Sequence, residues 1–257
     1  LKNASFIMAN SAGYGYGYFP LGPQTRHRWL SEIESFANPV QRGVGWISLY
    51  ESMLHRAIST EDYLKTVVRN LPLEKDPLIQ QYMLSTMQTV FWQLINEEDR
   101  MINVGGLENL LWDQLVNLED SRLKRTYFNA YQSICLTATG VDRLYQLWRG
   151  QQEIEGLKLS SSDFTSLACA LAIRAHPESE AIITEQLERL SNADRRERLE
   201  FLRPSLSADR EVRDRFFESL KQVENRHHES WVQTAIGYLH HPLRANESVV
   251  YITPTLE

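Results

Sequence analysis

From Pro23 onwards the apolar residues of this chain recur three and four positions apart, in runs interrupted only by short polar breaks. That spacing gathers each apolar set into one stripe of a helix, and a stripe must be buried against a neighbour. The pattern predicts about ten to twelve helices, over 24–36, 39–56, 60–70, 75–95, 105–117, 120–138, 140–149, 161–175, 178–191, 194–202, 207–221 and 227–240. Thr60 before Glu61-Asp62, and Ser162-Asp163 before Phe164, are read as helix caps. Pro72, Pro177, Pro204 and Pro242 are read as following helix ends, where a missing N–H does little harm.

Breaks this short make successive helices antiparallel neighbours, as in a bundle or an α-solenoid. No fixed period of roughly 34 or 40 residues is visible, so regular tetratricopeptide-type repeats are not expected. The expected fold is all-α: an irregular HEAT-like antiparallel superhelix with a short N-terminal β segment. The polar stretch GQQEIEGLKLSS at 150–161 is the one long interruption and is read as dividing two helical layers.

The first twenty residues differ in kind. FIMAN (6–10) is a short β-type run, and GYGYGYF (13–19) alternates glycine with Tyr14, Tyr16 and Tyr18, which would set three rings on one face of a strand. A nucleotide-binding loop is disfavoured because neither GxGxxG nor GxxxxGK[ST] occurs. Residues 1–20 are therefore read as the remnant of a preceding β domain or a β linker, and 21–257 as one helical domain. A start at Leu1, without methionine and in mid-pattern, is read as a piece of a longer polypeptide.

Charge excludes one broad class. With 27 Lys and Arg against 33 Asp and Glu, the formal net charge is -6, and no basic stripe exists to track a phosphate backbone. Nucleic acid is not an expected partner. The arginine-rich piece DRRERLEFLR (194–203) alternates its signs and is read as a solvated helix face. No stretch reaches the roughly 18 apolar residues of a membrane span, so no membrane association is expected. Cys135 and Cys169, 34 positions apart in apolar helical patterns, are read as core thiols, and they leave the compartment open between cytoplasm and periplasm.

RHHESWVQTAIGYLHHPLR (226–244) holds four of the seven histidines. A helical HExxH zinc motif needs histidines four apart on one face. Here His228 would need a histidine at Val232, and His227 one at Trp231. The pair His240-His241 begins about 20 Å further along a helix of 1.5 Å rise per residue, too far to share an ion with the first pair. Glu229 suits a helix start and His240-His241 a helix end. The carboxylate pairs Glu97-Glu98 and Glu119-Asp120 are likewise read as complementing helix dipoles. No GxSxG elbow or papain-like cysteine motif is present. No catalytic or metal-ligating residue is therefore assigned.

Two regions carry a family resemblance. FIMANSAGYGYGYF (6–19) followed by PVQRGVGWISLYESML (39–54) resembles the passage, in M1-family zinc aminopeptidases, from a β domain into the helical C-terminal domain. VDRLYQLWRG (141–150), SDFTSLACALAIR (162–174) and residues 201–244 resemble parts of that domain in bacterial members. Each motif is structural, and their order is the stronger signal. Gly15-Tyr16-Gly17-Tyr18 departs from the family's Gly-Tyr-Tyr-Arg, so that arginine has no counterpart here.

The resemblance implies a HEAT-like accessory domain that encloses a peptide cavity, partnered by the catalytic domain of the same polypeptide and by peptide substrates. Zinc is expected in the parent enzyme and no cofactor in this chain, because neither HExxH nor the family's GxMEN segment occurs in it. Within such a domain a guanidinium suits a peptide's carboxylate. Arg174, which extends the apolar row Phe164, Leu167 and Leu171, is the candidate contact, set against a simpler role at its own helix end. Arg42, one turn before Trp46, is read as a packing or ion-pair residue. The competing expectations are a free-standing helical scaffold that binds a protein partner and, less favoured, an independent helical metallohydrolase.

Overall fold

A computed structural model describes residues 6, 8–15 and 17–256. Among them every extended regular element is helical, and the chain forms two compact units, Leu1–Ile134 and Cys135–Glu257. The first contains α1 (Pro23–Glu32), α2 (Pro39–Leu54), α3 (Thr60–Asn70), α4 (Pro77–Thr89), α5 (Glu97–Asn117) and α6 (Ser121–Ile134). A π-helical turn, Val90–Leu94, continues α4. The second contains α7 (Ala138–Arg149), α8 (Ser161–Ile173), α9 (Ser179–Arg189), α10 (Ala193–Leu206), α11 (Arg210–Ser219) and α12 (Glu229–Leu239), followed by short helical turns to residue 256.

Within each unit, most helices adjacent in sequence pack together, and some contacts skip one element. Examples are α5 on α6 and α4 on α6 in the first unit, and α8 on α9 and α10 on α12 in the second. The cores follow the apolar stripes. In the first unit Trp29, Trp46, Tyr63, Met83, Phe91 and Tyr127 are fully buried, and burial of each large apolar side chain contributes ~1.5–3 kcal/mol. The phenols keep polar partners: the Tyr63 hydroxyl lies 2.6 Å from Thr86 Oγ1, and Tyr127 donates to Gln80 Oε1 at 2.8 Å. In the second unit the buried Trp148 indole donates to Gln186 Oε1 at 2.9 Å, and Gln186 Nε2 donates to Thr165 Oγ1 at 3.1 Å. One amide thus joins α7, α8 and α9.

Helix starts are set by side-chain caps. Asn38, Ser59, Asp76, Asn96, Thr137, Asn192 and Asp209 each accept a backbone N–H of the first turn. Ser160 and Asp163 form a reciprocal capping box at α8. Two expected caps therefore shift: Thr60 is the first helical residue behind Ser59, and Ser162-Asp163 lie inside the first turn behind Ser160. Glu97, Glu98 and Asp99 fill the first turn of α5, and Asp120 Oδ1 accepts the Arg122 and Leu123 N–H groups at the start of α6. Those backbone bonds hold the Asp120 carboxyl below its ordinary range.

Three further expectations are corrected. The β segment is absent among the described residues, although residues 1–5, Ile7 and Tyr16 of that stretch lie outside them. Residues 9–12 form a turn in which Asn10 adopts a left-handed φ of 56°, and Gly13 just after it has a φ of 74°. The Asn10 side chain then clamps Gly15, accepting its N–H at 2.6 Å and donating to its carbonyl at 2.9 Å. A strand needs extended φ throughout and a partner to pair with, and this turn precludes the first. Tyr14 is 95% exposed, while Tyr18 stacks on His55 with centroids 3.9 Å apart.

Pro204 lies inside α10 rather than after it. Only Ser205 and Leu206 follow it in the helix. The polar segment 150–161 does not separate the units, since it lies inside the second, with α7 and α8 packed together on either side of it. It turns at Gly150, which has a φ of 70°, and closes on a lone Ile154–Leu157 bridge.

Candidate functional site

The histidines of residues 226–244 lie at helix ends. His228 is the residue before α12 and stacks on Trp231 at 4.0 Å, while Glu229 opens the helix and accepts from Gln233 Nε2. His240 follows the last residue of α12, with Nε2 3.4 Å from Thr255 Oγ1, and burial holds its imidazole below the ordinary range. His241 Nδ1 accepts the Leu243 N–H at 3.3 Å, capping the next turn. His176 stacks on Tyr145, and its Nδ1 accepts the Glu178 N–H. Among the described residues, no three His, Cys, Asp or Glu side chains come together as a metal-binding group.

Arg174 follows the last residue of α8. Its Nε donates to the Cys135 carbonyl and its Nη1 to the Ala170 carbonyl, the latter at 2.8 Å. Arg42 forms a two-pronged ion pair with Glu74, Nε to Oε2 at 2.8 Å and Nη2 to Oε1 at 2.7 Å, and also donates to the Phe36 carbonyl. Glu74 Oε1 accepts the Lys75 and Asp76 N–H groups as well. Burial alone would raise the Glu74 pKa, but the Arg42 bonds and these backbone donors outweigh it and hold the carboxyl below its ordinary value.

Sequence reasoning passed over a depression of about 270 Å³ in the second unit. Its walls include Ser162, Ser166 and Cys169 of α8, Arg195 and Arg198 of α10, and Tyr238 of α12. The Tyr238 hydroxyl pairs with the Cys169 thiol, and burial pushes that thiol up to about 11, so it stays protonated at neutral pH and is a poor nucleophile. Burial raises the Tyr238 phenol too. The arrangement therefore offers cations and hydrogen-bond donors rather than a base or a nucleophile. A signal was present in the sequence: Arg195, Arg198, Leu199 and Leu202 share one face at helical spacing.

Compared with protein-family profiles and with curated proteins, the sequence matches none. No described helix is long and apolar enough to cross a membrane.

Proposed function

We propose that this chain is the helical accessory domain of an M1-type zinc aminopeptidase, a HEAT-like superhelix that walls a peptide cavity and restricts access to it. Hydrolysis belongs to a catalytic domain of the same polypeptide. The observation that carries the reading is the order of the motifs. The Asn10-to-Gly15 turn comes first, Pro39–Leu54 follows after α1, and helices α7, α8 and α10 to α12 then carry the other segments on which the resemblance rests. The zinc of such an enzyme has no fitting ligand set among the described residues of this chain, so no catalytic step is routed through them.

A peptide-contacting role for Arg174 competes with its bonds to the Cys135 and Ala170 carbonyls. Arg174→Ala in the complete enzyme, with unchanged KM and unchanged peptide-length preference, would remove that role. The coding sequence ahead of Leu1 tests the proposal as a whole. It is expected to contain HExxH with a glutamate about eighteen residues later. A start codon in its place favours a free-standing helical scaffold.

A further inference from the structure

The depression between α8, α10 and α12 holds two guanidinium groups that lack a counter-ion. Among the described residues Arg195 forms no ion pair, and Arg198 donates only to Thr234 Oγ1, at 3.1 Å. No carboxylate lines the depression. Elsewhere in this net-acidic chain, arginines such as Arg42, Arg149, Arg189, Arg203 and Arg213 are paired with glutamates. Two cations set three residues apart on one helix face repel each other, and an anion seated between them removes that cost.

The donors surround the space from different sides. Arg195 and Arg198 stand on α10, and Ser162 stands on α8. Guanidinium groups bind oxyanions through paired N–H bonds, and a tetrahedral oxyanion accepts donors from several directions at once. A phosphoryl group carries close to two negative charges near neutral pH, which matches the two unpaired arginines.

We propose that Arg195 and Arg198, with the Ser162 hydroxyl, form a binding site for a small phosphoryl dianion, either free phosphate or a phosphate monoester. This inference stands apart from the aminopeptidase reading, and its test leaves that reading untouched.

The test is calorimetric titration of the chain with inorganic phosphate and with phenyl phosphate at constant ionic strength, sodium chloride serving as the control anion. Saturable one-to-one binding is expected. Arg195→Gln and Arg198→Gln should each weaken it at least roughly tenfold, the effect of losing one charge-assisted donor group. Both side chains belong to exposed residues, so both variants should keep the wild-type melting temperature. Tighter binding of phenyl phosphate assigns an ester, and equal affinities assign free phosphate. Absence of saturable binding to either probe, equal binding of chloride, or affinity unmoved by both substitutions overturns the proposal.

Discussion

Gly45 shows how closely one residue of α2 is specified. A methyl group there would lie 2.4 Å from Cζ3 of Trp29, a ring only 1% exposed. Alanine gains up to about 1 kcal/mol over glycine inside a helix, but forcing atoms into a packed core costs ~1–3 kcal/mol. Gly45→Ala should therefore destabilise the chain. Gly43, two positions earlier, has nothing nearer than 3.9 Å, so Gly43→Ala should stabilise by ~0.5–1 kcal/mol. Urea unfolding of both variants checks the opposite signs. The Arg42–Glu74 pair is mostly buried, with side-chain exposures of 14% and 4%. Arg42→Ala strands the Glu74 carboxylate and should cost ~3–5 kcal/mol. Because the folded pKa of Glu74 is depressed, its contribution is complete above the unfolded value of about 4.3 and is lost as pH falls through the folded value. The stability gap between wild type and Glu74→Gln, followed by thermal melts, should be constant at neutral pH and should narrow in acid. The sequence showed Arg42 as a packing or ion-pair residue, but a partner 32 positions away leaves no local trace.

Arginines recur at the carbonyls that helix ends leave open. Arg100 Nε donates to the Phe91 carbonyl in the π-helical turn, Arg189 Nη1 to Trp148 at the end of α7, and Arg196 Nη2 to Leu190 after α9. Arg244, 8% exposed, holds the end of α10 through the Ser205, Leu206 and Ser207 carbonyls at 2.6, 2.8 and 3.1 Å. Its burial lowers the guanidinium pKa to about 10, so it remains charged at neutral pH. Arg244→Leu should cost at least ~2 kcal/mol, since it orphans buried acceptors. Arg244→Lys should recover only part of the loss, because an ammonium lacks the planar fork. Urea midpoints of the two variants measure this. The device explains which boundaries were legible. Helix starts carry their caps within three residues and, α5 excepted, fell close to their predicted places. Ends closed by a distant guanidinium do not show locally, so Pro204 read as lying beyond α10. At α5 the spacing predicts a helix over 105–117, yet it begins at Glu97 behind the Asn96 cap and runs through Gly105-Gly106. The face carrying Leu107, Leu111 and Leu115, buried in the packing of α5 on α6, offsets a cost of ~1 kcal/mol per glycine.

For the whole molecule, the period of the apolar residues specified an all-helical chain, because 3.6-residue stripes over most of the length leave no other burial scheme. The glycine-tyrosine alternation misled because period two describes a strand only where backbone angles permit one, and Asn10 and Gly13 bend the chain instead. The division at Ile134 and Cys135 left no sign in composition, whereas the polar stretch 150–161 merely loops within one unit. The Arg195–Arg198 face was readable by spacing but was hidden by alternating charge. The functional account rests on the claim that these helices form a wall and that the hydrolytic zinc belongs to other residues of the polypeptide. Zinc content and aminoacyl-nitroanilide hydrolysis, measured together on the 257-residue chain and on the complete encoded polypeptide, test it most directly. The account predicts one tightly held zinc and hydrolysis for the complete polypeptide and neither for the chain alone. Stoichiometric zinc with hydrolysis in the isolated chain would contradict it.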